Sequence, residues 1–141
     1  MARVLVVDDN ESIQEGLALL LKANGLESLR AGDGEEALEL LQSQPVDLVV
    51  LDLSMPGTDG LMVLEQMREW PETAATPVMV YSAAGDPSTK RQVMKLGVVE
   101  FIDKGDIEWN DLAARILRHL GRGGTPPLGD TGGYATGAPA V

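Results

Sequence analysis

Short apolar runs alternate along the chain with stretches in which apolar residues recur every three or four positions. That is the pattern of buried parallel strands alternating with amphipathic helices. Residues 3–7 form a first apolar run suited to a buried strand. Asn10 is placed to cap a helix with the apolar stripe Ile13, Leu17, Leu20 and Leu21, and Asn24-Gly25 ends it. A short strand is predicted near residues 26–30. Asp33 then opens a second helix, with Glu36 at capping-box spacing and Ala37, Leu40 and Leu41 turned inward. The clearest strand is 46–53, an apolar run buried on both faces with Asp52 at its C-terminal end. Asp59-Gly60 leads into a third helix that turns Leu61, Leu64 and Met67 inward and stops at Trp70-Pro71. A fourth strand is predicted over 77–82, and a fourth helix from Pro87 to Leu96, ended by Gly97. A fifth strand follows over 98–103. The last helix, 109–120, puts Leu112, Ile116 and Leu120 on its core face.

Five such βα units imply an α/β fold built on a doubly wound five-stranded parallel sheet. From Gly121 onward Gly and Pro supply nearly half of the residues, Tyr134 is the sole aromatic, and no periodicity survives. Such a segment buries too little surface to offset its chain entropy. The chain therefore divides into a domain, 1–121, and a disordered Gly/Pro-rich tail, 122–141, too short for an output domain.

Composition narrows the possible chemistry. With no cysteine among 141 residues, a disulfide scaffold, a thiolate zinc site and a cysteine nucleophile are excluded. A net charge of −11 argues against a basic nucleic-acid-binding surface. No apolar run is long enough to cross a bilayer, and the N-terminus turns acidic at Asp8 without a signal-peptide pattern, so a cytoplasmic location is expected.

Position then gives the acids a meaning. Ligands of doubly wound sheets bind outside the carboxyl ends of the strands, where this chain carries Asp8 and Asp9, Asp52, Ser82 and Lys104. Three converging carboxylates repel one another unless a cation is present, and a hard divalent ion with oxygen ligands, Mg2+, suits phosphate chemistry. One carboxylate can then attack phosphorus to give an aspartyl phosphate. Lys104 can offset charge on the phosphoryl oxygens, and the Ser82 hydroxyl can donate to one of them. Taken singly these residues are ordinary: an Asp pair after a strand is commonly a turn or cap, and a lone serine or lysine a cap or a solvated charge. An acid closing an apolar central strand is costly unless paired or used, which favours function at Asp52.

The sequence resembles the response-regulator receiver family over roughly residues 3–120. The carriers are Val6-Val7-Asp8-Asp9-Asn10, Leu51-Asp52-Leu53-Ser54-Met55-Pro56-Gly57-Thr58-Asp59-Gly60, Tyr81-Ser82-Ala83 and Phe101-Ile102-Asp103-Lys104. The resemblance implies a flavodoxin-like (βα)5 fold with strand order 2-1-3-4-5 and a stand-alone two-component receiver. It implies Asp52 as phosphoacceptor. Asp9, Asp52 and the backbone carbonyl of Ser54 would be direct Mg2+ ligands, with Asp8 acting mainly through water. Lys104 matches the phosphate-pairing lysine, and Ser82 and Phe101 the switch pair. The phosphoryl source would be a histidine kinase or a histidine phosphotransfer protein. Ser54 and Ala84 occupy the two positions that influence hydrolysis; one is short and the other apolar, so slow self-dephosphorylation is expected. In some relatives the fourth helix, fifth strand and fifth helix form a symmetric dimer face, and Lys90 with Asp111, and Glu100 with Arg115, match its crossed ion pairs. That face would serve a homodimer or a downstream protein target.

The sequence departs from the family where Gly105 follows Lys104 in place of the usual proline with a cis peptide. Without proline a cis bond costs about 3 kcal/mol, so a trans or mobile connection is expected. Three other readings use parts of the same pattern. A pseudo-receiver would bind a partner without phosphorylation. An aspartate-nucleophile phosphohydrolase typically carries a second acid where this chain has Ser54. A flavodoxin-type flavin carrier needs a hydroxyl-rich loop that does not follow the first strand.

Overall fold

The computed structural model describes residues 1–55, 60–83 and 86–121. The elements are β1 (Arg3–Val7), α1 (Glu11–Ala23), β2 (Glu27–Ala31), α2 (Gly34–Ser43), β3 (Leu48–Leu51), α3 (Gly60–Glu69), β4 (Val78–Ser82), α4 (Pro87–Lys95), β5 (Glu100–Asp103) and α5 (Trp109–His119). All five strands are parallel, in the order β2-β1-β3-β4-β5.

Period-two alternation along the strands divides the core between two faces. Leu5, Val7, Val49, Leu51, Val78 and Val80 face α2, α3 and α4 through Ala37, Leu41, Val63, Leu64, Met67 and Val93. Val4, Val6, Leu48, Val50, Met79 and Tyr81 face α1 and α5 through Leu17, Leu21, Leu112 and Ile116. Of the predicted core positions, Ile13, Leu20, Leu40, Leu61 and Leu120 lie at the margins of these clusters, partly buried.

Local signals in the sequence set the element ends. The Asn10 side chain accepts from the Ile13 amide at 3.2 Å, and Gly25 and Gly97 follow their helices at φ 76° and 77°. Asp33 caps α2 by accepting from the Glu36 amide at 2.8 Å. The Glu36 carboxylate, by contrast, reaches back to the Gly32 amide, one residue beyond the usual capping-box partner. Asp86 caps α4, with Pro87 in its first turn. The third strand starts later than predicted, at Leu48, because Asp47 leaves the ladder to hold Arg3, giving its amide to the Arg3 carbonyl and accepting from the Arg3 amide, each at 2.8 Å; it also ends earlier, at Leu51. The predicted start of α3 at Asp59 and the tail 122–141 lie outside the described residues.

Candidate functional site

Strand register brings the site together. Val7 pairs with Leu51, so Asp8 and Asp52 leave adjacent strands side by side. The Asp52 amide donates to the Val7 carbonyl at 2.9 Å, and the Asp8 amide to the Ala31 carbonyl at 3.0 Å. On the other flank Ser82 pairs with Asp103, and the Lys104 amide donates to the Ser82 carbonyl at 3.1 Å. Five chemically active side chains thus share the carboxyl edge of four strands.

Asp52 is 3% exposed and Asp8 2%. Asp52 Oδ1 accepts from Ser82 Oγ at 2.8 Å and from the Ser54 amide at 3.0 Å. Its Oδ2 lies 3.2 Å from Lys104 Nζ, and the same ammonium is 2.7 Å from Asp8 Oδ2. Asp8 Oδ1 also accepts from the Asn10 amide at 2.9 Å. Asp9 stays exposed at the rim, yet Asp8, Asp9 and Asp52 each offer an oxygen within 4.8 Å of the others. Burial, with added repulsion from Asp52, raises the Asp8 pKa above its ordinary value even though Lys104 and the Asn10 amide pull it down. Burial works against the charge on Lys104, but Asp8 and Asp52 outweigh it and hold the ammonium above its ordinary value. One ammonium against two buried acids and a third at the rim leaves excess negative charge at this edge of the sheet. That imbalance and an all-oxygen donor set suit a hard divalent cation such as Mg2+.

Gly105 adopts φ 93° in a turn closed by the Asp106 amide on the Asp103 carbonyl at 3.1 Å. A positive φ at the third position of this turn is open to glycine and closed to proline, whose ring fixes φ at about −65°. No peptide bond among the described residues is cis. The Lys104 ammonium nonetheless reaches both acids.

The switch and face residues are arranged less simply. The Ser82 hydroxyl bridges the acceptor carboxylate and the Leu53 amide, which donates to it at 3.3 Å. Phe101 is half-buried against the α2–α4 side of the core, with Lys90 Nζ 5.1 Å from its ring centre. Lys90 pairs with Asp103 at 3.4 Å rather than with Asp111, which is exposed. Glu100 pairs within the chain with Arg115, and with His119 at 2.8 Å. Burial raises the Glu100 carboxyl, but the hydrogen bond to His119 and the charge of Arg115 outweigh it and hold it below its ordinary value. Ala84 lies outside the described residues.

Three contributors to the site were not apparent in the sequence. The Gln14 amide donates to the Asp8 carbonyl and, at 3.4 Å, to the Ala31 carbonyl, locking α1 to two strand ends. A Cβ on Gly60 would lie 2.3 Å from the Asp52 carbonyl oxygen, so the start of α3 packs directly on the acceptor's backbone. The Tyr81 ring centre lies 5.7 Å from Lys104 Nζ. For Gln14 and Tyr81 no sequence signal separates these roles from an ordinary helix-face amide or core aromatic; for Gly60, glycine at a helix start was the available hint.

Residues 4–117 match the family model for the response regulator receiver domain. Response regulator RR06 of Streptococcus pneumoniae serotype 2 is 41% identical over 101 residues, spanning 72% of this chain and 45% of that protein. The sensory transduction protein RegX3 of Mycolicibacterium smegmatis is 35% identical over 123 residues, 87% of this chain and 52% of that one. The chain thus spans about half the length of these relatives. Among solved structures, a response regulator receiver protein from Pseudomonas putida superposes with a TM-score of 0.78 at 34% identity, covering 83% of this chain and 96% of the other. The chain belongs to the response regulator receiver family, and its fold is that of a receiver domain. No helix among the described residues is long and apolar enough to cross a membrane.

Proposed function

We propose that the protein is a Mg2+-dependent phosphoacceptor in which Asp52 takes a phosphoryl group from a histidine kinase or histidine phosphotransfer protein. The observation that carries this is the convergence of Asp8, Asp9 and Asp52 within 4.8 Å beside a single ammonium.

Asp9, Asp52 and the Ser54 carbonyl are the residues that would hold the cation, with Asp8 acting through water. When bound, the cation supplies neutralising charge for the acids and for the phosphoryl oxygens. An Asp52 carboxylate oxygen forms the new O–P bond as the donor's N–P bond, or the acyl O–P bond of acetyl phosphate, breaks with its electron pair leaving on the donor. Lys104, already within 3.2 Å of Asp52, balances charge on the transferred group. The Ser82 hydroxyl, now donating to Asp52 Oδ1, is close enough to transfer its hydrogen bond to a phosphoryl oxygen. In this reading Phe101 follows that movement inward and gives up its contact with Lys90. The signal leaves through the face of α4, β5 and α5, to a protein target or a second copy. In a homodimer the Glu100–Arg115 pair would be exchanged for a crossed one.

Incubation with acetyl phosphate and Mg2+ followed by intact mass tests the reading. One phosphoryl adduct on the wild type, lost in Asp52→Ala, is expected. An unmodified wild type would favour a pseudo-receiver, and turnover of unrelated phosphate esters a phosphohydrolase. Ser54 and Ala84 offer little to orient an attacking water, so the adduct should persist for minutes or longer; decay within seconds would contradict that part.

A further inference from the structure

Lys104 has a long, flexible stem, and its two partners, Asp8 and Asp52, are also the acids around which a cation and a phosphoryl group would gather. With those ligands bound, the carboxylates would share their oxygens with them, and their hold on the ammonium would weaken. The backbone does not fix the direction of the side chain by itself. Lys104 is anchored through its amide to Ser82, but it sits in a turn whose next residue is Gly105. Something that does not change during the reaction must keep the ammonium over the acceptor.

Tyr81 meets that requirement. It is 5% exposed, lies in β4 opposite Ile102 of β5, and packs in the α1/α5 half of the core. Its ring centre stands 5.7 Å from Lys104 Nζ, within the range at which an aromatic face attracts a cation. Alternation along β4 sends the next side chain, Ser82, to the acceptor carboxylate. Two adjacent residues of one strand thus reach the two partners of the reaction, hydroxyl to acceptor and ring to ammonium.

We propose that Tyr81 is a positioning residue for phosphoryl transfer, its buried ring forming the fixed surface that keeps the Lys104 ammonium aimed at Asp52 when the acids share their oxygens with those ligands. The proposal rests on the phosphoacceptor reading and adds a residue to it. The ring face carries the role, and the phenol oxygen is not needed.

The test compares Tyr81→Phe, which keeps the ring, with Tyr81→Leu, which keeps apolar bulk without a π face. If the leucine variant does not fold, as judged by urea unfolding, Tyr81→Met carries the same comparison. Phosphorylation by acetyl phosphate at saturating Mg2+ should remain within about twofold of wild type in the phenylalanine variant and fall by about tenfold without the ring. The dissociation constant for Mg2+, measured by calorimetry, should stay nearly constant across the series, which a merely structural lesion at the strand end would not allow. Independently of phosphorylation, the Lys104 ε-methylene protons, assigned by their loss in Lys104→Arg, should show an upfield ring-current shift in wild type and Tyr81→Phe that vanishes in Tyr81→Leu. Wild-type phosphorylation rates in the ring-less variant, or no ring-current shift in the wild type, would overturn the role of Tyr81 alone. A wild-type chain that accepts no phosphoryl group would overturn the phosphoacceptor reading, and this role with it.

Discussion

At Asp8 the site's electrostatics and the stability of the fold pull in opposite directions. Its pKa is raised in the folded chain, so the folded state binds the proton more tightly than the unfolded state. Ionised Asp8 therefore destabilises the metal-free protein at neutral pH, and the penalty is relieved as pH falls toward the ordinary carboxylate value. Asp8→Asn should raise the metal-free unfolding midpoint by a few degrees, on the order of 1 kcal/mol, as thermal melts in chelator will measure. The same melts with Mg2+ should show the wild type gaining about 2.7 kcal/mol at a concentration near 100 Kd, with a smaller gain in the variant. Gly105 gives a second residue-scale expectation. At φ 93°, with nothing within 4 Å of its added Cβ, Gly105 is required by backbone conformation and not by space. Restoring the proline usual in the family, Gly105→Pro, should slow phosphorylation, because proline cannot hold this φ and the turn that carries Lys104 must be rebuilt. A variant as fast as wild type by intact-mass time course would show that the turn does not matter.

At the scale of elements, α5 is tied to β5 by Glu100, which accepts from Arg115 and His119. Its folded pKa is lowered, so its contribution is fully present above the ordinary glutamate value and is lost as pH falls through the lower folded value. Glu100→Gln should cost about 1 kcal/mol at neutral pH, and the difference from wild type, followed by urea unfolding, should close in acid. The elements were legible because each carries its own local signal. Asn10, Asp33 and Pro87 mark helix starts, Gly25 and Gly97 mark ends, and the period switches from two to 3.6 between strands and helices. The strand ends were less legible. Asp47 has the look of a strand residue beside an apolar run, and only its partner Arg3, 44 residues away, takes it out of the ladder.

For the molecule as a whole, the site was visible because doubly wound topology places chemistry at the carboxyl edge, so strand ends alone nominated Asp8, Asp9, Asp52, Ser82 and Lys104. The residues that hold those groups in place were hidden, because they act through packing and hydrogen bonds that no periodic pattern in the sequence marks. Gln14 bonds two strand-end carbonyls, and Gly60 leaves no room for a Cβ beside the acceptor's backbone. The face residues show the same limit. Lys90, Glu100, Asp111 and Arg115 match the face through the family resemblance, but only the three-dimensional structure shows that Glu100 already meets Arg115 within one chain while Lys90 meets Asp103. The net charge of −11 gains a local meaning too, since three of the acids, two buried and one at the rim, gather around one ammonium.

The central claim is that this cleft makes Asp52 a metal-dependent nucleophile toward phosphorus. Borohydride reduction of acetyl-phosphate-treated protein, followed by peptide mass mapping, tests it most directly, because an acyl phosphate is reduced to an alcohol at the carboxylate that carried it. Reduction is expected at Asp52 alone, abolished by a chelator of Mg2+. Reduction at Asp8 or Asp9, or at Asp52 with the chelator present, would contradict it.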